Sequence, residues 1–201
     1  TVYKNHLLAG KSSRTAPVAE EDKEYIQDIW LLTAKPVMYV CNVDEASVNT
    51  GNAYVEKVKA AAKEENAEVL VISAQIESEI AQLESYEERQ LFLEDLGLTE
   101  SGVNKLIKAA YRLLNLATYF TAGVQEVRAW TITQGFTAPQ AAGVIHTDFE
   151  KGFIRAEVIK YDDFVKFNGS EAVIKDNGKL AIEGKTYVVQ DGDIMHFRFN
   201  V

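Results

Sequence analysis

The residues best suited to chemistry stand at the ends of two short apolar runs. The first run, Val37–Cys41, breaks at once into Asn42-Val43-Asp44-Glu45. The second, "EVLVIS" at 68–73, runs into Ala74-Gln75. An Asn amide both donates and accepts, which suits the edge of a purine. A carboxylate three residues on, Glu45, accepts from ring or exocyclic N–H groups. Ser73-Ala74 offers backbone N–H groups with little side-chain bulk in front of them. The bland alternative is that Asn42 and Glu45 only cap a turn from strand to helix.

Positioning these groups requires a strand, a helix and a strand. The Val and Tyr content and the length of Val37–Cys41 predict a buried strand, and Glu68–Ser73 a second. Between them, Asn52 or Ala53 to Glu65 carries Val55, Val58 and Ala62 at helical spacing. A helix of that length between two strands is a βαβ unit, so the strands are parallel. Ligands of open parallel sheets sit at the carboxyl ends of the strands. Both polar termini therefore belong on one rim.

The flanking sequence supplies more helices and then changes character. Ala19–Leu32 reads as a helix, with Glu20, Glu21, Asp22 and Glu24 at its start and Ile26, Ile29 and Trp30 as an apolar stripe. Ser78–Leu96 reads as one Glu-rich helix closed by Gly97, and Ser101 or Gly102 to Asn115 as another. From Leu116 the pattern turns to strands: "TYFTAG" and "EVRAWTIT" form a hairpin through Ala122–Gln125. Thr137 caps a short helix with Pro139 in its first turn. "GFIRAEVI", "TYVV" and "IMHFRFNV" then read as strands, the last two joined across Gln190-Asp191-Gly192-Asp193. The expected fold class is α/β followed by a separate α+β module with one main helix.

Bulk composition narrows the classes. With 47% hydrophobic and 25% charged residues in 201, the chain belongs with folded globular proteins. No apolar run is long enough to span a membrane, and no signal pattern opens the chain. A single cysteine, Cys41, forms no internal disulfide, so a reducing cytoplasm is the expected address. Cys41 itself reads as a strand residue, with no histidine near it in sequence. The net charge of −9 argues against a surface that binds nucleic acid everywhere. Residues 1–125 hold 12 basic and 19 acidic residues, and residues 126–201 hold 9 and 11. A local basic face is thus easier to build in the second part.

Asn-x-x-Glu followed by Ser-Ala resembles the base-recognition motifs of P-loop GTPases, Asn-Lys-x-Asp and Ser-Ala-Lys, with both lysines absent and Glu45 in place of the Asp. That altered form, preceded by Lys35-Pro36-Val37-Met38-Tyr39-Val40, resembles the YchF/Obg-like ATPase family, EngD-type P-loop NTPases with a C-terminal TGS domain. "ISAQIESEIAQL" at 72–83, "TAPQAAGVIHTDFEKGFIRAEVI" at 137–159 and "DGDIMHFRFNV" at 191–201 resemble the same family. The resemblance implies the end of a helical hairpin insertion and linker over 1–34. It implies the C-terminal part of a Rossmann-like nucleotide-binding domain over 35–115 and a ubiquitin-like β-grasp TGS domain over 116–201. Asn42 then matches the base-contacting Asn, Val43 stands at the lysine position, Glu45 at the guanine-reading Asp, and Ser73-Ala74 at the second base loop. Glu is one methylene longer than Asp and does not clamp guanine in the same geometry, so ATP, or ATP and GTP alike, becomes the expected ligand. A ribosome or RNA partner acting through the TGS module is implied as well.

A phosphate loop needs Gly-x-x-x-x-Gly-Lys-Ser/Thr after a strand. Gly10-Lys11-Ser12 is the one near match, but the first glycine position falls on Asn5 and too few residues precede it for a strand. Neither a magnesium-binding Thr loop nor an Asp-x-x-Gly switch is assignable. The chain is therefore expected to supply the base side of a site, with catalytic groups and magnesium ligands elsewhere in a longer parent, and no hydrolysis alone. In the second part, Lys151, Arg155, Lys160 and Lys166 are the candidate RNA or partner face, with solvated surface charge as the alternative. His146 and Asp148 read as hydrogen-bonding a tight connection. A metal site of His146, Asp148 and His196 is the minor alternative. A non-catalytic RNA- or protein-binding role through the TGS module is the second reading of the whole chain, and a free strand edge that recruits a partner is a further option.

Overall fold

The computed structural model describes residues 1–123 and 125–200, with the backbone only at Glu20 and Gln27. It comprises two compact units, Thr1–Leu113 and Leu114–Val201.

In the first unit, helices α1 (Val2–Leu8) and α2 (Glu20–Lys23) precede β1 (Met38–Asn42), α3 (Ala53–Glu64), β2 (Glu68–Ile72), α4 (Ala74–Gln82), α5 (Tyr86–Asp95) and α6 (Gly102–Leu113). β1 and β2 are parallel, in register from Met38↔Glu68 to Asn42↔Ile72, so the expected βαβ unit is present. Asn52 starts α3 by accepting from the N–H groups of Tyr54 and Val55. Val55 and Ala62 bury its inner stripe. Ile76, Leu93 and Leu98 form a second small core among α4, α5 and the turn after it. Gly97, at φ +66°, closes α5 in the left-handed conformation that glycine adopts at no steric cost.

Three expectations for this unit need correction. The helix read over Ala19–Leu32 is only α2 followed by a 3₁₀ segment, Glu24–Ile29. Its apolar stripe is covered only at Ile26, which is half-buried; Ile29 is exposed, and Trp30 is 85% exposed at φ +53°. An amphipathic helix draws most of its stability from the surface that covers its stripe, and here most of the stripe is uncovered among the described residues. The strand read as buried runs one residue later and is half open, with Val40 42% exposed, because β1 pairs with β2 alone among the described residues. The single helix read over Ser78–Leu96 is two. Ser85 and Glu88 form a reciprocal capping box that starts α5 afresh. The Arg89 guanidinium donates to the Leu83 carbonyl at 3.0 and 2.8 Å, which holds the break.

The second unit runs β3 (Leu116–Ala122), β4 (Val127–Thr133), α7 (Ala138–Ile145), α8 (Thr147–Lys151), β5 (Phe153–Ile159), α9 (Tyr161–Lys166), α10 (Glu171–Asp176), β6 (Leu180–Glu183) and β7 (Ile194–Phe199). Its mixed sheet has the order β4-β3-β7-β5-β6, with β3 and β7 parallel and the other neighbours antiparallel. Alternate residues of the sheet, Tyr119, Ala156, Val158 and Met195 among them, bury against Ala138, Ala141 and Ala142 of α7. The Tyr119 hydroxyl donates to the Ala141 carbonyl at 2.9 Å. The opposite face is covered in part, by Ile174 and Phe164 over Ile159 and Ile194.

Here too the sequence reading changes. Among the described residues, four helices stand where one main helix is expected. "TYVV" at 186–189 is not a strand: Val188 makes a single bridge to Thr137, while Leu180–Glu183 forms β6. Side chains explain the difference, since Tyr187 is turned toward Asp193 and Lys160 instead of lying along a ladder. The β3–β4 hairpin forms as expected, but Val124 within its turn lies outside the described residues. Val201, read as the end of the last strand, does so as well.

Candidate functional site

The parallel register places Asn42 and Ile72 side by side, so the loops that follow β1 and β2 leave from the same rim. Three hydrogen bonds shape that rim. Val43 N–H donates to the Ile72 carbonyl at 2.9 Å and prolongs the ladder by one step. The Asn42 Oδ1 accepts from Ala74 N–H at 2.9 Å, so this side chain caps the first turn of α4 from the neighbouring strand. Asp44 Oδ1 accepts from Ser47 N–H at 2.9 Å and starts the 3₁₀ turn Glu45–Ser47. The turn-capping role open to Glu45 thus belongs to Asp44, a residue that the sequence reading passed over. An acid three residues before a Ser was the available signal.

Glu45 is exposed and makes no side-chain hydrogen bond or ion pair among the described residues. Asn42 and Ala74 are exposed, and Val43 is half-buried. Ser73 is 1% exposed, and its Oγ has no hydrogen-bond partner among the described residues. A buried hydroxyl without a partner costs about 1–3 kcal/mol. Asn42, Val43, Ser73 and Ala74 are therefore brought together at one strand-end rim, and Glu45 opens the 3₁₀ turn that follows it. With Oδ1 engaged, the Asn42 amide retains its Nδ2 donor, and Glu45 is an unpaired acceptor nearby in sequence.

Gly10-Lys11-Ser12 occupies a different setting. It follows α1, a helix, where a phosphate loop follows a strand. Ser12 Oγ donates to Glu65 at 3.2 Å. Arg14 Nη2 donates to both Glu65 carboxylate oxygens, at 3.1 and 3.0 Å, and the Tyr39 hydroxyl donates to Glu65 at 2.9 Å. The Arg14 guanidinium and the Tyr39 hydroxyl hold the Glu65 carboxyl below its ordinary range. The triplet is thus tied to the C-terminal end of α3. No sequence signal announces this knot, because its members lie far apart in the chain.

The four basic candidates of the second unit have unlike surroundings. Lys151 ends α8 behind Asp148 and Glu150. Arg155 lies 3.7 Å from Glu157. Lys166 stands over the Phe167 ring. Lys160 is structural: its Nζ donates to Asp193 at 2.6 Å and to the Tyr187 hydroxyl at 3.0 Å. Asp193 is fully buried and also accepts from Tyr187 Oη and Gln190 N–H. Burial alone would lower the Lys160 pKa, but the bonds to Asp193 and Tyr187 outweigh it and raise it. His146 caps α8 by accepting from Asp148 N–H, and His196 meets Glu171 at 2.9 Å. No group of three or more His, Cys, Asp or Glu is arranged to hold a metal among the described residues. No helix described is long and apolar enough to cross a membrane.

Comparison with known proteins bears on both units. The family model YchF-GTPase_C, described as a protein of unknown function (DUF933), matches residues 116–200. "Ribosome-binding ATPase YchF" of Bacillus subtilis (strain 168) is 55% identical over 193 residues, covering 95% of this chain and 52% of the relative. The protein of the same name from Haemophilus ducreyi is 56% identical over 188 residues, covering 94% and 51%. The solved structure of the Schizosaccharomyces pombe YchF GTPase superposes with a TM-score of 0.82 at 36% identity, over 98% of this chain and 52% of that one. A GTP binding protein from Pyrococcus horikoshii OT3 shares the fold, at a TM-score of 0.58 and 17% identity, over 99% of this chain and 64% of that one. The chain spans about half the length of the curated relatives it matches, and it belongs to the YchF family.

Proposed function

We propose that residues 35–115 form the base-recognition side of a purine nucleotide site for ATP or GTP. In the same reading, residues 1–34 are the end of a helical insertion and a linker. Residues 116–201 act as a ubiquitin-like β-grasp TGS module through which the parent protein engages the ribosome or its RNA. The hydrogen bond from Ala74 N–H to Asn42 carries the first part of this reading. It joins the two strand ends and commits the amide oxygen, which leaves Nδ2 as a donor for purine N7, an acceptor that adenine and guanine share. Glu45, exposed and unpaired, accepts from the exocyclic amine of adenine or from the N–H groups of guanine. Its extra methylene relative to Asp relaxes the choice between the two bases. Ser73 Oγ adds an unused donor beside the same rim.

Hydrolysis, in this reading, belongs to the parent. Phosphoryl transfer is catalysed by positioning and by neutralising charge on the phosphates, and magnesium supplies part of that neutralisation when bound. The residues at this rim address the base only. The B. subtilis relative is named an ATPase and the S. pombe structure a GTPase, and both names describe chains about twice as long as the matched region. The test is titration of this chain with ATP and with GTP, followed by isotope-edited NMR. Shifts of the Ala74 amide and the Asn42 side-chain amide are expected with both nucleotides, without turnover of either. Titrations to millimolar nucleotide that move neither signal would refute the base site. Cosedimentation with ribosomes tests the second unit, and a chain that stays in the supernatant counts against that part.

A further inference from the structure

The segment that carries Glu45 has little regular structure, yet its backbone is well tied. It leaves β1 after Asn42 and enters α3 at Ala53. Asp44 starts its 3₁₀ turn through the Ser47 N–H, and the Val48 N–H donates back to the Glu45 carbonyl at 3.3 Å. Gly51 N–H donates to the Ser47 carbonyl at 2.7 Å, and Gly51 itself, at φ +72°, takes the left-handed conformation that the return to α3 requires. All of these bonds lie within the segment. They give it a shape, and a loop bonded only to itself can still swing as one piece about its two ends.

Two contacts reach out of it, and both go to the helices beyond β2. The Val48 side chain packs against the small core of Ile76, Leu93 and Leu98. The Asn49 Nδ2 donates to the Leu96 carbonyl at 2.8 Å, across 47 residues of sequence. Leu96 ends α5. The last carbonyls of a helix have no partner inside it and carry the negative end of its dipole, so an amide donor suits them. The bond is exposed, and an exposed hydrogen bond adds little to overall stability. Its main effect is on place: it anchors the turn that begins at Glu45, four residues earlier.

Resting on the nucleotide reading above, we propose that Asn49 is a positioning residue for base recognition, one that holds the Glu45 turn against the end of α5 and so sets how the carboxylate meets the base edge. Glu45 makes no side-chain hydrogen bond or ion pair of its own among the described residues, so its place depends on the backbone that bears it. Asn42 has a separate support, the strand end and the Ala74 N–H. The contact to purine N7, common to both bases, and the contact through Glu45, which differs between adenine and guanine, are therefore held by different parts of the fold. An acceptor fixed before the ligand arrives spares the entropy of ordering it on binding.

A double-mutant cycle on the whole chain tests it, with ATP and GTP titrated by NMR into the wild type, Asn49→Ala, Glu45→Ala and the double variant. Both side chains are exposed, so all four proteins are expected to fold. Asn49→Ala is expected to weaken at least one of the two nucleotides about threefold or more, and to change neither by more than about twofold once Glu45 is removed. A general loss of stability would instead weaken binding alike in both backgrounds. In the ligand-free chain, amide exchange of Val48 and Gly51 is expected to quicken in Asn49→Ala. A wild type that binds neither nucleotide overturns the base reading and the role of Asn49 with it. Where the wild type binds, an Asn49→Ala effect that is equal in the two Glu45 backgrounds, or absent from both, overturns the role of Asn49 alone. Unchanged exchange over residues 47–51 does the same.

Discussion

Replacing Asn42 by Asp separates the two tasks assigned to its amide. Oδ1 accepts from Ala74 N–H at 2.9 Å, and Asp retains that acceptor. Its charge lies at the N-terminus of the nine-residue α4, where an anion contributes about 0.3–1 kcal/mol. Repulsion from Asp44 and Glu45 on the same loop offsets part of that gain, so the stability of Asn42→Asp is expected to stay close to that of the wild type. Asn42→Ala removes the cap and is expected to cost about 1 kcal/mol. The exposed Ala74 N–H can turn to water, which keeps the cost moderate. Nucleotide binding should respond differently. In Asn42→Asp an acceptor replaces the Nδ2 donor opposite purine N7, a loss of about 1.5–3 kcal/mol, or roughly 10- to 150-fold in affinity. The assay pairs urea unfolding with ATP and GTP titrations of both variants. Wild-type affinity in Asn42→Asp would refute the base contact. A stability loss equal to that of Asn42→Ala would refute the capping argument.

Further outcomes follow from the packing. Asp193→Ala removes the acceptor of three donors in a fully buried position, leaving the Tyr187 O–H and the Gln190 N–H without an acceptor. Urea unfolding is expected to show a loss of about 3–5 kcal/mol in the second unit. A Cβ on Gly102 would lie 2.8 Å from Ile72 Cγ2 and 2.9 Å from Glu77 Oε1. Glu77 accepts from Gly102 and Val103 N–H to cap α6, so Gly102→Ala is expected to cost about 1–3 kcal/mol by the same measurement. The Arg198 hydrogen bond holds the Glu157 carboxyl below its ordinary range. A depressed carboxylate contributes stability above its unfolded pKa and loses it as the pH falls through the folded value. Urea midpoints of the wild type should therefore fall toward those of Glu157→Gln below about pH 4.5. Parallel midpoint curves for the two proteins would contradict this.

Local signals in the sequence were sufficient wherever the physics is local. The βαβ unit follows from apolar runs of strand length on either side of a helical stripe, and the structure contains it. The Thr137 cap with Pro139, the Gly97 close of a helix and the Asp191-Gly192-Asp193 turn are likewise visible as residues. The Ser85–Glu88 capping box is a local signal too, a Ser three residues ahead of a Glu, and it divides the Glu-rich stretch into two helices.

What tertiary structure decided was which surfaces found a partner. Ile26, Ile29 and Trp30 have the spacing of a helix stripe, but periodicity does not say whether a core exists to cover it, and here the helix shortens to α2. "TYVV" has strand composition, but the buried Asp193 draws Tyr187 out of any ladder, and short Leu180–Glu183 takes the edge. Lys160 reads as a surface charge and is the ion partner of a buried acid 33 residues away. Asn42 announced a polar strand end. Its bond to Ala74, and the parallel pairing of Phe120 with Ile194 that joins β3 to β7, come from contacts between distant segments. Such pairings depend on the geometry of the whole sheet, which local patterning does not encode.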